Sequence, residues 1–196
     1  MRKIRSITAK AKQKSKERFN QILVGLVLVF LMMLSILGYS LSGRNGEEQG
    51  EEKITYNGVE FINKGGYWIL EAEKFQFIFT YNPKEVMQIN SEIKYLDSYI
   101  GKPLYIESDS DEASTEIYIN LKDIVQRMQP ACLNESKCEN ENLPIRDCSN
   151  NFIIIQESNL TNIEQNQNCV FISASEEDLL KITDEFLFKI LGIENI

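Results

Sequence analysis

One stretch limits everything else this chain can do: Ile22–Leu41, ILVGLVLVFLMMLSILGYSL, twenty residues without a charge. As a helix rising ~1.5 Å per residue it would span ~30 Å, the hydrocarbon thickness of a bilayer. The expectation is a transmembrane helix over residues 22–41, with membrane lipid as its partner. Its flanks differ sharply in charge. Residues 1–19 hold Arg2, Lys3, Arg5, Lys10, Lys12, Lys14, Lys16 and Arg18 against Glu17, a net +7, while the rest of the chain sums to −15. Lys and Arg stay on the cytoplasmic side of a first membrane helix. The sequence therefore predicts a single-pass cell-membrane protein with segment 1–21 in the cytoplasm and the bulk of the chain outside. Residues 1–19 would lie near anionic headgroups.

A cleaved signal peptide is the competing reading. Its apolar core is usually about 7–15 residues, so length favours an uncleaved anchor, although Ser40 and Ser42 before Gly43 would suit a cut. No Cys follows the apolar run, which argues against a lipoprotein anchor, and residues 11–25 lack the cut site of a pilin leader.

Residues 42–53, with three glycines and four glutamates, read as a flexible stalk. The exterior domain is expected over 54–196, long enough to bury a core of its own. Ile54–Tyr56, Val59–Ile62, Tyr67–Glu71 and Phe75–Tyr81 are strand-like, with turn signals at Asn57-Gly58, Gly65-Gly66 and Glu73-Lys74. Phe75, Phe77, Phe79 and Tyr81 would share one face by the two-residue period, as a core face under helices.

Asn82-Pro83-Lys84-Glu85 has the form of a helix start, and Val86, Ile89, Ile93, Leu96 and Ile100 recur at helical spacing up to Gly101. A short strand follows over Leu104–Glu107. Ile117, Leu121, Ile124, Val125 and Met128 predict a second helix, capped near Ser114 and ended before Pro130. Phe152–Gln156 and Cys169–Ser173 read as strands around a polar stretch, Leu160–Asn168. A third helix, capped by Ser175–Asp178, carries the stripe Leu179, Ile182, Phe186, Leu187, Ile190 and Leu191. The alternation predicts an α/β domain: one layered unit with a mixed sheet and about three helices.

The same residues limit function. There is no His, which removes Ser–His and Cys–His triads and the commonest zinc sites. Exterior acidity argues against nucleic acid. No glycine-rich loop follows a strand, so no nucleotide site is indicated. In open α/β sheets ligands sit beyond the carboxyl ends of the strands, and here that position includes the turn ESDSDE. Glu107, Asp109 and Asp111 could hold a hard cation such as calcium, or could simply be a solvated acidic turn at a helix start. Acid/base chemistry on glycans is a further use of such carboxylates. No catalytic residue is assigned and no cofactor is required.

Cys132, Cys138, Cys148 and Cys169 are an even set on the exterior side, as disulfides would be. Spacers of five, nine and twenty residues do not form the paired knuckles of a tetrathiolate zinc site. Of three connectivities, Cys132–Cys138 and Cys148–Cys169 is expected, because the first pair is close in a polar loop and the second joins two strands that would be neighbours. Asn134-Glu135-Ser136 and Asn159-Leu160-Thr161 are glycosylation sequons.

The segments DCSNNFIIIQE and NCVFISASEEDLLKITDEFLFKILGI, with spaced cysteines, a strand after Cys169 and a last helix carrying Asp184 and closing in Leu-Gly-Ile, are informative together. This last third resembles small uncharacterised archaeal proteins with one N-terminal membrane helix and a cysteine-containing exterior domain. The resemblance implies an anchored exterior domain and supplies no activity. Two functions follow as expectations: a binding module for an envelope protein or glycan, or, as the alternative, an anchored carboxylate-dependent hydrolase of extracellular glycans.

Overall fold

Turn chemistry builds the first sheet. The computed structural model describes residues 23–34, 52–72, 74–133, 138 and 142–193, in two units, 1–50 and 51–196. In the second unit β1 (Lys53–Tyr56), β2 (Val59–Lys64), β3 (Tyr67–Ala72) and β4 (Phe75–Phe79) form an antiparallel meander in that order. Asn57 and Gly58 both have positive φ, 50° and 80°, the left-handed pair that a two-residue hairpin needs. Register pairs Trp68 with Phe79 and Leu70 with Phe77. Alternation then puts Phe61, Trp68, Leu70, Phe77 and Phe79 into the core. The expected aromatic row is core at Phe77 and Phe79, whereas Phe75 is 39% exposed.

The second sheet is mixed. It contains β5 (Pro103–Ser108), β6 (Arg127–Pro130), β7 (Asn151–Glu157), β8 (Asn162–Asn166) and β9 (Cys169–Ala174), in the order β6-β5-β7-β9-β8. The first four strands in that order run parallel, and β8 is antiparallel to β9. The hairpin strands thus form a sheet of their own instead of joining this one. α2 (Asp111–Leu121) connects β5 to β6, and α3 (Leu179–Ile190) follows β9.

Both helices touch both sheets. α2 packs on β4 and β5, α3 packs on β7 and β9, and Phe188 of α3 meets Phe61 and Phe79 at ring distances of 5.7 and 4.5 Å. Helices shared between two sheets explain why α3 is buried almost all round, from Ile182 to Ile190. The opposite face of the mixed sheet has a smaller core of Tyr105, Ala131, Phe152, Ile154 and Cys169, with Leu133 and Cys148 packed on it.

In the first unit, residues 23–34 form a helix, α1, whose every residue is exposed. Among the described residues no helix is long and apolar enough to cross a membrane. Of the expected span 22–41, Ile22 and residues 35–41 lie outside the described residues, as do segment 1–21, residues 42–51 of the stalk and the first sequon's Asn134.

Three expectations need correction. The helix expected from Asn82 to Ile100 is not formed: the segment is irregular, with a single 3-10 turn at Leu96–Ser98. Its capping box is nevertheless present, since Glu85 Oε2 accepts from the Asn82 N–H at 2.9 Å and Asn82 Oδ1 accepts from the Lys84 N–H at 2.8 Å. Beyond it the chain spreads over the core, where Val86, Ile89, Ile93 and Leu96 pack. The second helix starts earlier than Ser114, with Ser110 as N-cap accepting from the Ala113 N–H, and ends at Leu121, so that Met128 belongs to β6. The polar stretch Leu160–Asn168 contains edge strand β8, with Ile163 as its buried residue.

Candidate functional site

The carboxyl ends of β5 and β6 open beside the N-terminal half of α2. A groove of about 450 Å³ lies there, lined by residues that include Ile106, Ser108, Asp111, Ser114, Tyr118 and Met128. The turn ESDSDE borders it, but its carboxylates do separate work. Glu107 Oε2 accepts from the Leu133 N–H at 2.6 Å, fixing the chain just after β6. Asp109 Oδ2 accepts from the Glu157 N–H at 2.9 Å, and the Asp109 N–H donates to the Ile155 carbonyl, so Asp109 latches β5 to the end of β7. Asp111 stands in the first turn of α2, favoured by the helix dipole. Among the described residues no three His, Cys, Asp or Glu side chains gather as a metal site.

A second polar constellation was hidden in the apolar stripes. β4 is an edge strand, and α2 and α3 cap its free edge with side chains where another strand would bond. Asn120 Oδ1 accepts from the Ile78 N–H and its Nδ2 donates to the Ile78 carbonyl, both at 2.7 Å. Glu116 Oε1 accepts from the Thr80 N–H and Asp184 Oδ2 from the Tyr81 N–H, both at 2.8 Å. Glu116 and Asp184 are buried. Asp184 Oδ1 is buried without a hydrogen-bond partner, and the Glu116 carboxyl neighbours the Asp184 carboxyl. Burial, with the Glu116 charge second, raises the Asp184 pKa well above its ordinary value. A protonated Asp184 carboxyl would supply the donor that this oxygen pair lacks. This is a structural brace: neither residue lines the groove.

The third constellation lies on the other face of the mixed sheet. Both disulfides are formed with the expected pairing, Cys132–Cys138 and Cys148–Cys169, at Cα separations of 5.5 and 4.9 Å. The second ties the loop to the start of β9, whose register partner is Phe152 of β7. The Arg146 N–H donates to the Cys132 carbonyl and the Cys132 N–H to the Pro144 carbonyl, at 2.9 and 3.0 Å. This bridge lays Arg146 over the Tyr105 ring, its guanidinium carbon 5.0 Å from the centroid. On the neighbouring strand Arg127 Nη2 donates to the Tyr105 hydroxyl at 2.9 Å. Arg146, and after it Arg127, holds the phenol pKa below its ordinary value of 10.

The sequence holds one clue to these residues, in α2, and none to the arginines. In α2, Ala113, Glu116, Ile117, Asn120 and Leu121 are all buried, so polar Glu116 and Asn120 fall at helical spacing inside the stripe. Arg127 and Arg146 are separated by nineteen positions and only the fold joins them. No family model, curated protein or solved structure matches this chain.

Proposed function

We propose that the protein is a membrane-tethered exterior binding module. In this reading residues 22–41 cross the membrane, 1–21 stay in the cytoplasm, and domain 54–196 presents a disulfide-braced surface to an envelope protein or glycan. The observation that carries it is α1: eleven large apolar side chains and a glycine, all exposed. A helix that is apolar all round requires a non-aqueous setting, since covering one such side chain is worth ~1.5–3 kcal/mol. The charge asymmetry, +7 before the run and −15 after it, supports the orientation. Two disulfides support an oxidising compartment for the domain. The resemblance of the last third to anchored archaeal proteins belongs to the same proposal. Protease added to intact cells tests it. The domain should be degraded and the N-terminal segment spared. Full protection of the domain, with an accessible surface marker cleaved, would overturn it.

A further inference from the structure

We infer that Arg127 and Arg146 form an oxyanion-binding site above Tyr105, on the disulfide-bearing face of the mixed sheet, for a sulfate, phosphate or carboxylate group. This rests on the reading of the domain as a binding module and names the chemistry of its ligand. Three independent parts of the chain build the site. Tyr105 comes from the middle of β5. Arg127 opens β6, and because Pro103 pairs with Arg127 and Tyr105 with Gln129, Arg127 and Tyr105 share one face as a diagonal pair. Arg146 comes from the loop between the disulfides, held by its backbone bridge to Cys132 and flanked two residues later by Cys148.

Both guanidiniums converge on one ring, their central carbons 5.9 and 5.0 Å from its centroid. A guanidinium has five N–H donors and its fork matches an oxyanion. Arg127 spends one on the Tyr105 hydroxyl, and Arg146 spends one of its five on the Ile145 carbonyl, through Nη1 at 2.9 Å, and another toward the Tyr105 hydroxyl. The side-chain ion pairs among the described residues all use lysine: Lys53–Glu60, Lys181–Asp178 and Lys189–Glu185. Neither arginine has a carboxylate partner there, in a chain with 29 acidic and 21 basic residues. The nearby Glu107 carboxylate is already held by the Leu133 N–H. Arg127 is exposed and Arg146 half-buried, so donors remain open to solvent. Hydrogen bonding from Arg146, and after it from Arg127, also holds the phenol pKa below its ordinary value. A rigid aromatic floor with two preorganised forks lowers the entropy cost of binding.

The test uses the full chain in a non-ionic detergent, titrated separately with sodium sulfate, sodium phosphate and sodium acetate at constant ionic strength. Heats of binding are followed together with tyrosinate absorbance, with Tyr105→Phe identifying the Tyr105 signal among eight tyrosines. Saturable binding of at least one anion should raise the phenol pKa. Arg127→Gln and Arg146→Gln should each weaken binding about tenfold or more. Lys53→Gln, at a distant ion pair, should leave it unchanged. The anion that binds most tightly tells a tetrahedral ligand group from a carboxylate. Absence of saturable binding by the wild-type chain, or equal binding by the double variant, overturns the site. If the Gln variants lose their disulfide pattern, Arg127→Lys and Arg146→Lys take their place, and undiminished affinity in both overturns it equally. Failure here leaves the anchor and the orientation standing, because protease accessibility reads those separately.

Discussion

Replacing Asp184 with Asn tests the buried carboxyl pair. The pair holds the Thr80 and Tyr81 N–H groups just past β4, but ionising both groups would place two like charges in the core beside each other. Because the folded-state pKa of Asp184 is raised, the folded chain binds more protons than the unfolded one above the ordinary carboxylate value of 3.8. Stability is then fully present below that value and falls as pH rises through the raised pKa. Asn at 184 keeps the Tyr81 N–H bond through its oxygen and offers an N–H to Glu116, copying the protonated acid at every pH. Removing that penalty should make Asp184→Asn melt above the wild type near pH 8, each kcal/mol of gain appearing as about 2–4 °C in Tm for a chain of this size. Near pH 4 the variant and the wild type should melt together. Thermal melts of the full chain in detergent, from pH 4 to pH 8, give the comparison. A wild-type Tm that rises steadily across that range, or a variant destabilised equally at both ends, would refute the raised Asp184 pKa as the cause.

Three further outcomes follow from the same contacts. Asn120→Leu leaves the Ile78 N–H and C=O unpaired and uncovers the β4 edge, and should cost about 2–4 kcal/mol in urea unfolding, with increased self-association on sizing columns. Phe186→Ala, at a fully buried site in α3, should lower stability by about 3–5 kcal/mol, read as a shift in the denaturation midpoint at constant slope. Leu28→Arg with Leu31→Arg should release the protein from the membrane pellet, since each charge at a bilayer centre costs about 2.5–3.5 kcal/mol on insertion scales; unchanged fractionation would point to a different anchor.

Much of the fold could be read from local chemistry. Asn57-Gly58 and Gly65-Gly66 encode turns that only left-handed backbone can make, and FIIIQ, bounded by polar residues, is a strand buried on both faces. The disulfide pairing was legible because Cys148 and Cys169 flank strands that lie side by side. Residues 82–100 misled because the capping box and the apolar spacing are real, yet tertiary contacts take the backbone donors a helix would have used. Glu185 accepts the Ile89 N–H and Gln165 the Lys94 N–H. β8 escaped notice because an edge strand with one buried residue has almost no apolar period to read. The site residues were harder still. The acidic turn stood out by composition, whereas its Glu107 and Asp109 serve as backbone latches. Tyr105, Arg127 and Arg146 carry no shared motif, and their meeting depends on strand register and on a loop bridge between two disulfides.

The central claim is an oxidised, disulfide-braced domain held outside the membrane. Trapping free thiols in native membranes before solubilisation, then mapping peptides without reduction, tests it most directly. The account predicts Cys132–Cys138 and Cys148–Cys169 peptides with no trapped thiol on any of the four cysteines. Four alkylated cysteines, or recovery of a Cys138–Cys148 peptide, would contradict it.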